Sequence, residues 1–321
     1  MNKKYICWVC VDALKVGTWK QAEALASKWI GKYEKKPIHL PSWCRWMPSK
    51  IFAKLPVFLK NMAVKSITDP LPDIIIAAGR QAVLVALALK HTTKTVVLMN
   101  PGIPPQHFDA VVAPTHDQLD GKNVICTQGA IHAIQPEILV FPRTLEKYTT
   151  PRVGVLLGGN SVHGTYKNEL AIKMANDLRT FINSNSALIG ASLIITPSRR
   201  TPLKWLEIFE RNLDGVPYWI WNQKTKNPYP NLLKGVDAII VCEDSISMAS
   251  EACVMGKPVL IYPTGITKLK FKRFYQQLFA RKHAQPFEIK ANLNNQLVLN
   301  ELDKVIEQLN KMNFFPAKNP T

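Results

Sequence analysis

The sequence predicts an α/β protein made of two doubly wound halves, and three observations carry that expectation. The chain is 321 residues long, about twice the usual length of one domain and enough to bury two cores. Short apolar runs alternate with helical stretches along its whole length. A turn-rich passage in the middle, QPEILVFPRTLEKYTTPR at 135–152, holds three prolines and divides two copies of that pattern. With 47% hydrophobic and 20% charged residues, the composition is that of a globular protein rather than a disordered or fibrous one.

In the first half the apolar runs are YICWVCV at 5–11, DIIIAA at 73–78, TVVLM at 95–99, DAVVA at 109–113 and NVICT at 123–127. Runs that do not alternate with polar residues suit strands covered on both faces. Residues 18–30 and 80–90 read as helices, the second (RQAVLVALALK) built almost entirely of strong helix formers. The second half runs RVGVLL at 152–157, a helix across 166–182, ASLIIT at 191–196, a helix from Pro202 to Arg211, VPYWIW at 216–221, DAIIVC at 237–242, a helix across 246–255 and PVLIYP at 258–263. Residues 294–311 read as an amphipathic helix closing that half. Strand-helix alternation of this kind makes parallel sheets. The expected domains are 1–145 and 151–321, two Rossmann-like halves facing each other across a cleft.

Forty-one Lys and Arg against 23 Asp and Glu give a net charge of +18, which favours anionic partners: nucleotides, phosphorylated substrates, nucleic acid or acidic membranes. No nucleic-acid motif accompanies the charge, so nucleic acid is not the expected partner. The six cysteines lie mostly in apolar runs, as reduced cytoplasmic thiols do. Cys7 and Cys10 fall three apart on one strand and so point to opposite faces, and no second Cys/His pair completes a metal set, so a redox or zinc pair is not expected. The pattern indicates neither a signal peptide nor a transmembrane helix, since no window approaches the roughly 18 apolar residues of a membrane span. Residues 28–65 nevertheless hold nine bases and one acid among Trp29, Trp43, Trp46, Ile51, Phe52, Leu55 and Phe58. That mixture suits a peripheral surface on anionic lipid, the inner face of a membrane. The acid-free stretch KLKFKRFYQQLFARK at 268–282 has similar character.

Three segments carry candidate chemistry. In DAIIVCEDSISMASEACVMGKPVLIYP at 237–263 a strand leads through a polar turn into a helix that stops at Gly256 and Pro258. Asp244 or Ser245 is a natural N-cap, and the backbone N–H groups of Ile246 and Ser247 at the helix start can hold a diphosphate. Glu251 lies one turn beyond Ser247 on the same face, where a carboxylate can accept the hydroxyls of a ribose. VGVLLGGNSVHGT places Gly158, Gly159, Asn160 and Ser161 directly after a strand, and successive N–H groups in such a turn can cradle phosphate. It lacks the Gly-Lys-Ser/Thr ending of a Walker loop, so ATP chemistry is not supported. TPSRRTP sets Ser198, Arg199, Arg200 and Thr201 after another strand, with two guanidinium groups suited to a leaving diphosphate.

These residues resemble the mitochondrial fission ELM-type family, whose bacterial members are described as GT-B glycosyltransferases. The resemblance covers most of the chain. Its carriers are Gly79-Arg80, FDAVVAPTHDQLDGKNVICTQGAIH at 108–132, Gly158 to Ser161, Ser198 to Pro202, and Asp244-Ser245 through Ser247, Ser250-Glu251-Ala252 and Gly256-Lys257-Pro258. The resemblance implies a GT-B-like fold, a nucleotide-diphosphate sugar as donor with no cofactor and no metal, and an acceptor side at Gly17, Gln21, Gly79 and Arg80. The Ser-Glu-Ala…Gly-x-Pro helix is also similar to the donor helix of the lipid-linked peptidoglycan glycosyltransferase, which implies a ribose-holding role for Glu251. The chain departs from the family where Gly17 is followed by Thr18-Trp19-Lys20-Gln21 instead of a Glu-Asn-Gln stretch. The plant members that name the family act by recruiting a dynamin-related protein to mitochondria.

The function expected from the sequence is transfer of a sugar from a nucleotide donor to a membrane-associated acceptor. Among the scattered histidines His107, His116, His132 and His163, His116 is the candidate base for the acceptor hydroxyl. A non-catalytic recruitment scaffold and a nucleotide-sugar epimerase are the rival readings. Oligomeric state cannot be read from the pattern.

Overall fold

Each apolar run of the first half becomes a strand of one parallel sheet. A computed structural model describes residues 5–12, 16–65, 70–161, 164–225, 227–265, 269–312 and 314; His163 and Lys268 lie outside the described residues. The chain forms two compact units, with the divisions after Ala133 and before Asn300.

The first unit runs β1 (Cys7–Asp12), α1 (Val16–Trp29), β2 (Glu34–Ile38), α2 (Ser42–Arg45), α3 (Ser49–Lys54), α4 (Val57–Val64), β3 (Ile74–Ala78), α5 (Arg80–Leu89), β4 (Lys94–Leu98), β5 (Ala110–Pro114) and β6 (Val124–Thr127). All neighbours pair in parallel in the order β2-β1-β3-β4-β5-β6. Strand β2, EKKPI, is not apolar and is missed by the hydrophobic pattern; it holds an edge position, where Pro37 removes no needed ladder bond. Cys7 and Cys10 face the two opposite cores of this sheet, and burial pushes both thiols up to about 12. Helix α5 is buried from Ala82 to Leu89, as a helix apolar on all sides must be.

The second unit runs β7 (Arg152–Leu157), α6 (Asn168–Ser184), β8 (Ser192–Pro197), α7 (Leu203–Asn212), β9 (Tyr218–Ile220), β10 (Ala238–Cys242), α8 (Ile246–Cys253), β11 (Val259–Tyr262), α9 (Leu269–Ala280) and β12 (Gln285–Pro286). Its strand order is β12-β11-β10-β7-β8-β9, again all parallel. Counted from β7 this is the doubly wound order in which the winding reverses between the first and fourth strands.

Two boundaries differ from the sequence expectation. The proline-rich passage is not a free linker: it lies in the second unit, where Leu139 and Leu145 are buried in the core. The last helix, α10 (Glu301–Lys311), does not close the second half but belongs to the first unit. Leu302, Val305 and Leu309 enter the core on the α1 side of the first sheet, with α10 packed on α1 and β6. The buried Glu301 carboxylate accepts the Gln128 N–H at 2.8 Å, and Trp29 Nε1 donates to Asn310 at 2.8 Å. An amphipathic helix shows which face seeks a core, not which core receives it.

Leu309→Ala removes a fully buried side chain and should cost about 2–5 kcal/mol. Hydrogen exchange should accelerate in β4 to β6 while β7 to β9 stay protected. Equal acceleration in both sheets, or none, would reject the assignment of α10 to the first core.

Candidate functional site

In an open parallel sheet the crevice lies beyond the carboxyl ends of the strands where the order reverses, here between β7 and β10. Three segments meet there: 158–161 after β7, 198–201 after β8 and 243–245 after β10. Asp244 joins them. Its side chain is 3% exposed. Its Oδ2 accepts the Gly159 N–H at 3.1 Å and an Arg200 N–H at 3.0 Å, while Oδ1 accepts the Tyr166 hydroxyl at 2.5 Å. Burial, together with Cys242 and Asp244, holds the Tyr166 phenol far above its ordinary value, so it remains a donor.

The two glycines are required by close approach. A Cβ on Gly158 would stand 1.6 Å from Asp244 Oδ1, and one on Gly159 would stand 2.2 Å from the Arg200 backbone. The Asn160 N–H donates to the Arg200 carbonyl at 3.0 Å, and Asn160 Oδ1 accepts the Tyr166 N–H at 2.7 Å. Ser161 pairs with Gly164. The hydroxyls of Ser198 and Thr201 reach the Gly158 carbonyl at 3.1 and 2.5 Å.

The two arginines separate. The Arg200 guanidinium donates to Asp244 and to the carbonyls of Gly159 and Asn160 at 3.4 and 3.2 Å, so it fastens the turns to one another. Arg199 is exposed beside it. Ser245 caps α8 by accepting the Met248 N–H at 3.3 Å, the expected use of a serine at that position. Ser247 lies half-buried in the first turn, and Glu251 half-buried one turn on. The Glu251 carboxylate receives the Tyr229 hydroxyl, whose proton affinity is raised first by burial and then by Glu251 itself. Glu243 accepts the N–H groups of Thr264 and Gly265, both at 2.8 Å, fixing the turn after β11. Lys257 of the Gly-Lys-Pro stop donates to the carbonyls of Leu233, Lys234 and Val236; burial lowers its pKa.

The acceptor-side candidates all lie in the first unit. Gly17 is exposed in the first turn of α1, with Gln21 half-buried one turn later. Gly79, at φ +99°, starts α5, and the Asp12 carboxylate at the end of β1 accepts the Gln81 N–H at 3.0 Å. Arg80 donates to the Arg45 carbonyl at 2.7 Å and stacks 5.4 Å over Trp46, which binds it to the α2–α3 turn. His116 is the poorest fit to its expected role. Its side chain is 2% exposed, with Nε2 4.0 Å from Asp117. A general base must reach the proton that it removes, and burial inside the first unit argues against this imidazole.

Sequence reading missed Tyr166, Tyr229 and Asp12. Each acts across a long stretch of chain, so no local spacing marks it. The tyrosines were visible only as isolated aromatics, though Tyr166 closely follows the glycine turn.

Two parallel, doubly wound sheets, one with a glycine turn, an arginine turn and a helix start at its switch point, define an α/β protein of the GT-B type. The chain belongs to the mitochondrial fission ELM1 family, whose model matches residues 16–312. The uncharacterized protein RP120 of Rickettsia prowazekii (strain Madrid E) is 30% identical over 346 aligned positions, covering 94% of this chain and 96% of that one. Mitochondrial fission protein ELM1 of Arabidopsis thaliana is 27% identical over 71% of this chain, which spans 60% of the plant protein. Among solved structures, Acinetobacter baumannii MurG has a TM-score of 0.58 at 10% identity, over 96% of this chain and 99% of its own. Medicago truncatula UGT71G1, complexed with UDP-glucose, has a TM-score of 0.51 at 10% identity, over 96% of this chain and 93% of its own. At such identities the likeness is one of fold.

The hydrogen bonds rank the anchoring residues. Asp244→Ala leaves the Tyr166 hydroxyl and Gly159 N–H without their acceptor and should cost about 1–3 kcal/mol for each such group. Arg200→Ala breaks a half-exposed pair and should cost about 1 kcal/mol or less. Denaturant unfolding followed through the second unit tests the order; an equal or larger loss for Arg200 would make the guanidinium the anchor instead.

Proposed function

We propose that the second unit binds a nucleotide-diphosphate sugar in the crevice between β7 and β10 and that the protein transfers the sugar to a membrane-associated acceptor. The observation that carries this reading is the convergence of the Gly158–Ser161 turn, the Ser198–Thr201 turn and the start of α8 around one buried carboxylate, with Glu251 one turn along the helix. A phosphate would be repelled by a bare Asp244, but three donors already occupy that carboxylate, and Arg200 offsets its charge.

In this reading the diphosphate rests on the N–H groups of Ile246 and Ser247, where the helix dipole favours negative charge. Arg199 reaches its oxygens and stabilises the leaving diphosphate. Glu251, its orientation held by Tyr229, accepts the ribose hydroxyls. The complex of UGT71G1 with UDP-glucose supports the donor class by analogy of fold. On the first unit, exposed Trp43, Trp46, Ile51 and Phe58 stand among Arg45, Lys50, Lys54 and Lys60, a composition suited to an anionic membrane. No helix among the described residues is long and apolar enough to cross one. A second reading, favoured by a plant relative that is named a mitochondrial fission protein and by the recruitment role that the family resemblance implies, is a non-catalytic protein that has kept the fold without transfer.

A thermal-shift panel of nucleotide sugars and free nucleotides separates these readings, because a ligand at a hundred times its Kd stabilises by about 2.7 kcal/mol. Glu251→Ala should lose about 1.5–3 kcal/mol of nucleotide affinity while remaining folded. Arg199→Ala should weaken diphosphates but not the matching nucleosides. A flat panel would sink the donor site and leave the recruitment reading.

A further inference from the structure

Between β9 and β10 the chain passes alongside α8 as a strap, residues 227–236, and is fastened to it at two points. Early in the strap the Tyr229 hydroxyl donates to the Glu251 carboxylate on α8. Late in the strap the carbonyls of Leu233, Lys234 and Val236 accept from the Lys257 ammonium, just beyond the end of α8, at 3.0, 2.8 and 2.5 Å. Asn231–Lys234 form one turn of 3-10 helix, whose last carbonyls have no partner within the turn, and an ammonium carries the three donors that they need. Leu232, Leu233 and Val236 are buried in the core that also holds Ala249 and Ala252 of α8. The strap is therefore fixed to the helix by packing and by hydrogen bonds, and it carries Tyr229 with it.

Lys257 has a structural use that requires no ligand. Tyr229 is different, because its hydroxyl acts on a carboxylate that the donor site needs. A glutamate on a helix surface samples several rotamers. Here one of its oxygens is bound to a phenol whose own backbone N–H donates to Asn227 Oδ1 at 3.0 Å. Burial, then Glu251, raises the proton affinity of that phenol, so the donated proton stays in place at ordinary pH. A carboxylate accepts about four hydrogen bonds, so one donor sets the plane of the group without exhausting it. The four residues from Ser247 to Glu251 rise about 6 Å along the helix, a span similar to that between the phosphates and the hydroxyl pair of a ribonucleotide. When a ligand lacks one of those hydroxyls, a loose glutamate can turn to water, whereas a fixed one is left desolvated without its donor.

We propose that Tyr229 is a positioning residue that makes the crevice select ribonucleotides over 2′-deoxyribonucleotides, by holding the Glu251 carboxylate toward both ribose hydroxyls. The inference rests on the donor-site reading above and deepens it, naming the sugar of the nucleotide and the side chain that enforces the choice.

The test uses the full chain in titration calorimetry with UDP, CDP, ADP and GDP, each beside its 2′-deoxy counterpart, and with inorganic pyrophosphate as a probe of the phosphate contacts alone. Wild type should favour the ribose member of the pair that it binds by about tenfold or more, the usual effect of losing a hydrogen bond to a charged group. Tyr229→Phe, its fold checked by circular dichroism, should weaken the ribonucleotide by about tenfold while leaving the deoxynucleotide and pyrophosphate little changed, so that the preference collapses. Glu251→Ala should abolish the preference as well, and adding Tyr229→Phe to it should change nothing further, because the tyrosine acts through the glutamate. Equal binding of the two sugars by wild type, a wild-type preference retained in Tyr229→Phe, or additive losses in the double variant would overturn the proposal while the donor site stands. If wild type binds neither the nucleotides nor pyrophosphate, the donor-site reading falls and this inference falls with it.

Discussion

Asp244 is the constraint on which the second unit's crevice depends. A parallel sheet brings the carboxyl ends of its strands to one edge but leaves the turns beyond them free to splay. Here a single buried carboxylate draws in the backbone of the β7 turn, the guanidinium from the β8 turn and the Tyr166 hydroxyl ahead of α6. The same contact explains why residue 158 has no side chain, since the space that a Cβ would fill is already occupied by the carboxylate. An acidic group beside the proposed anion site is less paradoxical than its charge implies. Three donors already occupy the carboxylate, which lessens its repulsion of an anion at the start of α8.

The parallel sheets were legible because their strands are buried on both faces and so lack polar alternation. Runs such as DIIIAA and DAIIVC could hardly be anything else. Strand β2 was not legible, since an edge strand with three polar or charged residues and a proline carries none of that signal. The glycine turn, the Ser245 cap and the helix bearing Glu251 could be placed because each depends on a few adjacent residues. What could not be read was the use of each side chain across the fold. Nothing in SRRTP says that the second arginine is spent on Asp244 and the first left exposed. Nor does the position of His116 after a strand announce its burial.

The two basic, acid-free stretches show how one pattern serves two ends. In 269–282 the apolar residues Phe274, Tyr275 and Leu278 are buried in the second core, so α9 is a core helix, with Lys270 and Lys272 exposed. In 42–65 the folding core takes Cys44, Phe52, Ala63 and Val64, while Trp43, Trp46, Ile51, Phe58 and Met62 remain outside. Composition alone could not separate them. Lysine stems cover apolar surface in either case, and the distinction is whether the aromatics are buried in a core or left exposed.

Placing α10 in the first unit makes the second unit an insertion within it. During synthesis, β1 to β6 emerge early but lack one of the two helices, α1 and α10, that cover one side of their core until residues 300–311 have followed the entire second unit. The later unit, contiguous in sequence from 134 to 299, can complete its own packing first. The usual N-terminal-first order is thereby reversed for final consolidation: the first sheet waits on α10 for Leu302, Val305 and Leu309 to complete its core. A ribosome stalled or a chain truncated shortly before residue 300 would yield a finished second unit attached to an unfinished first one, with the apolar surface that α10 covers on α1 and β6 open to aggregation or chaperones.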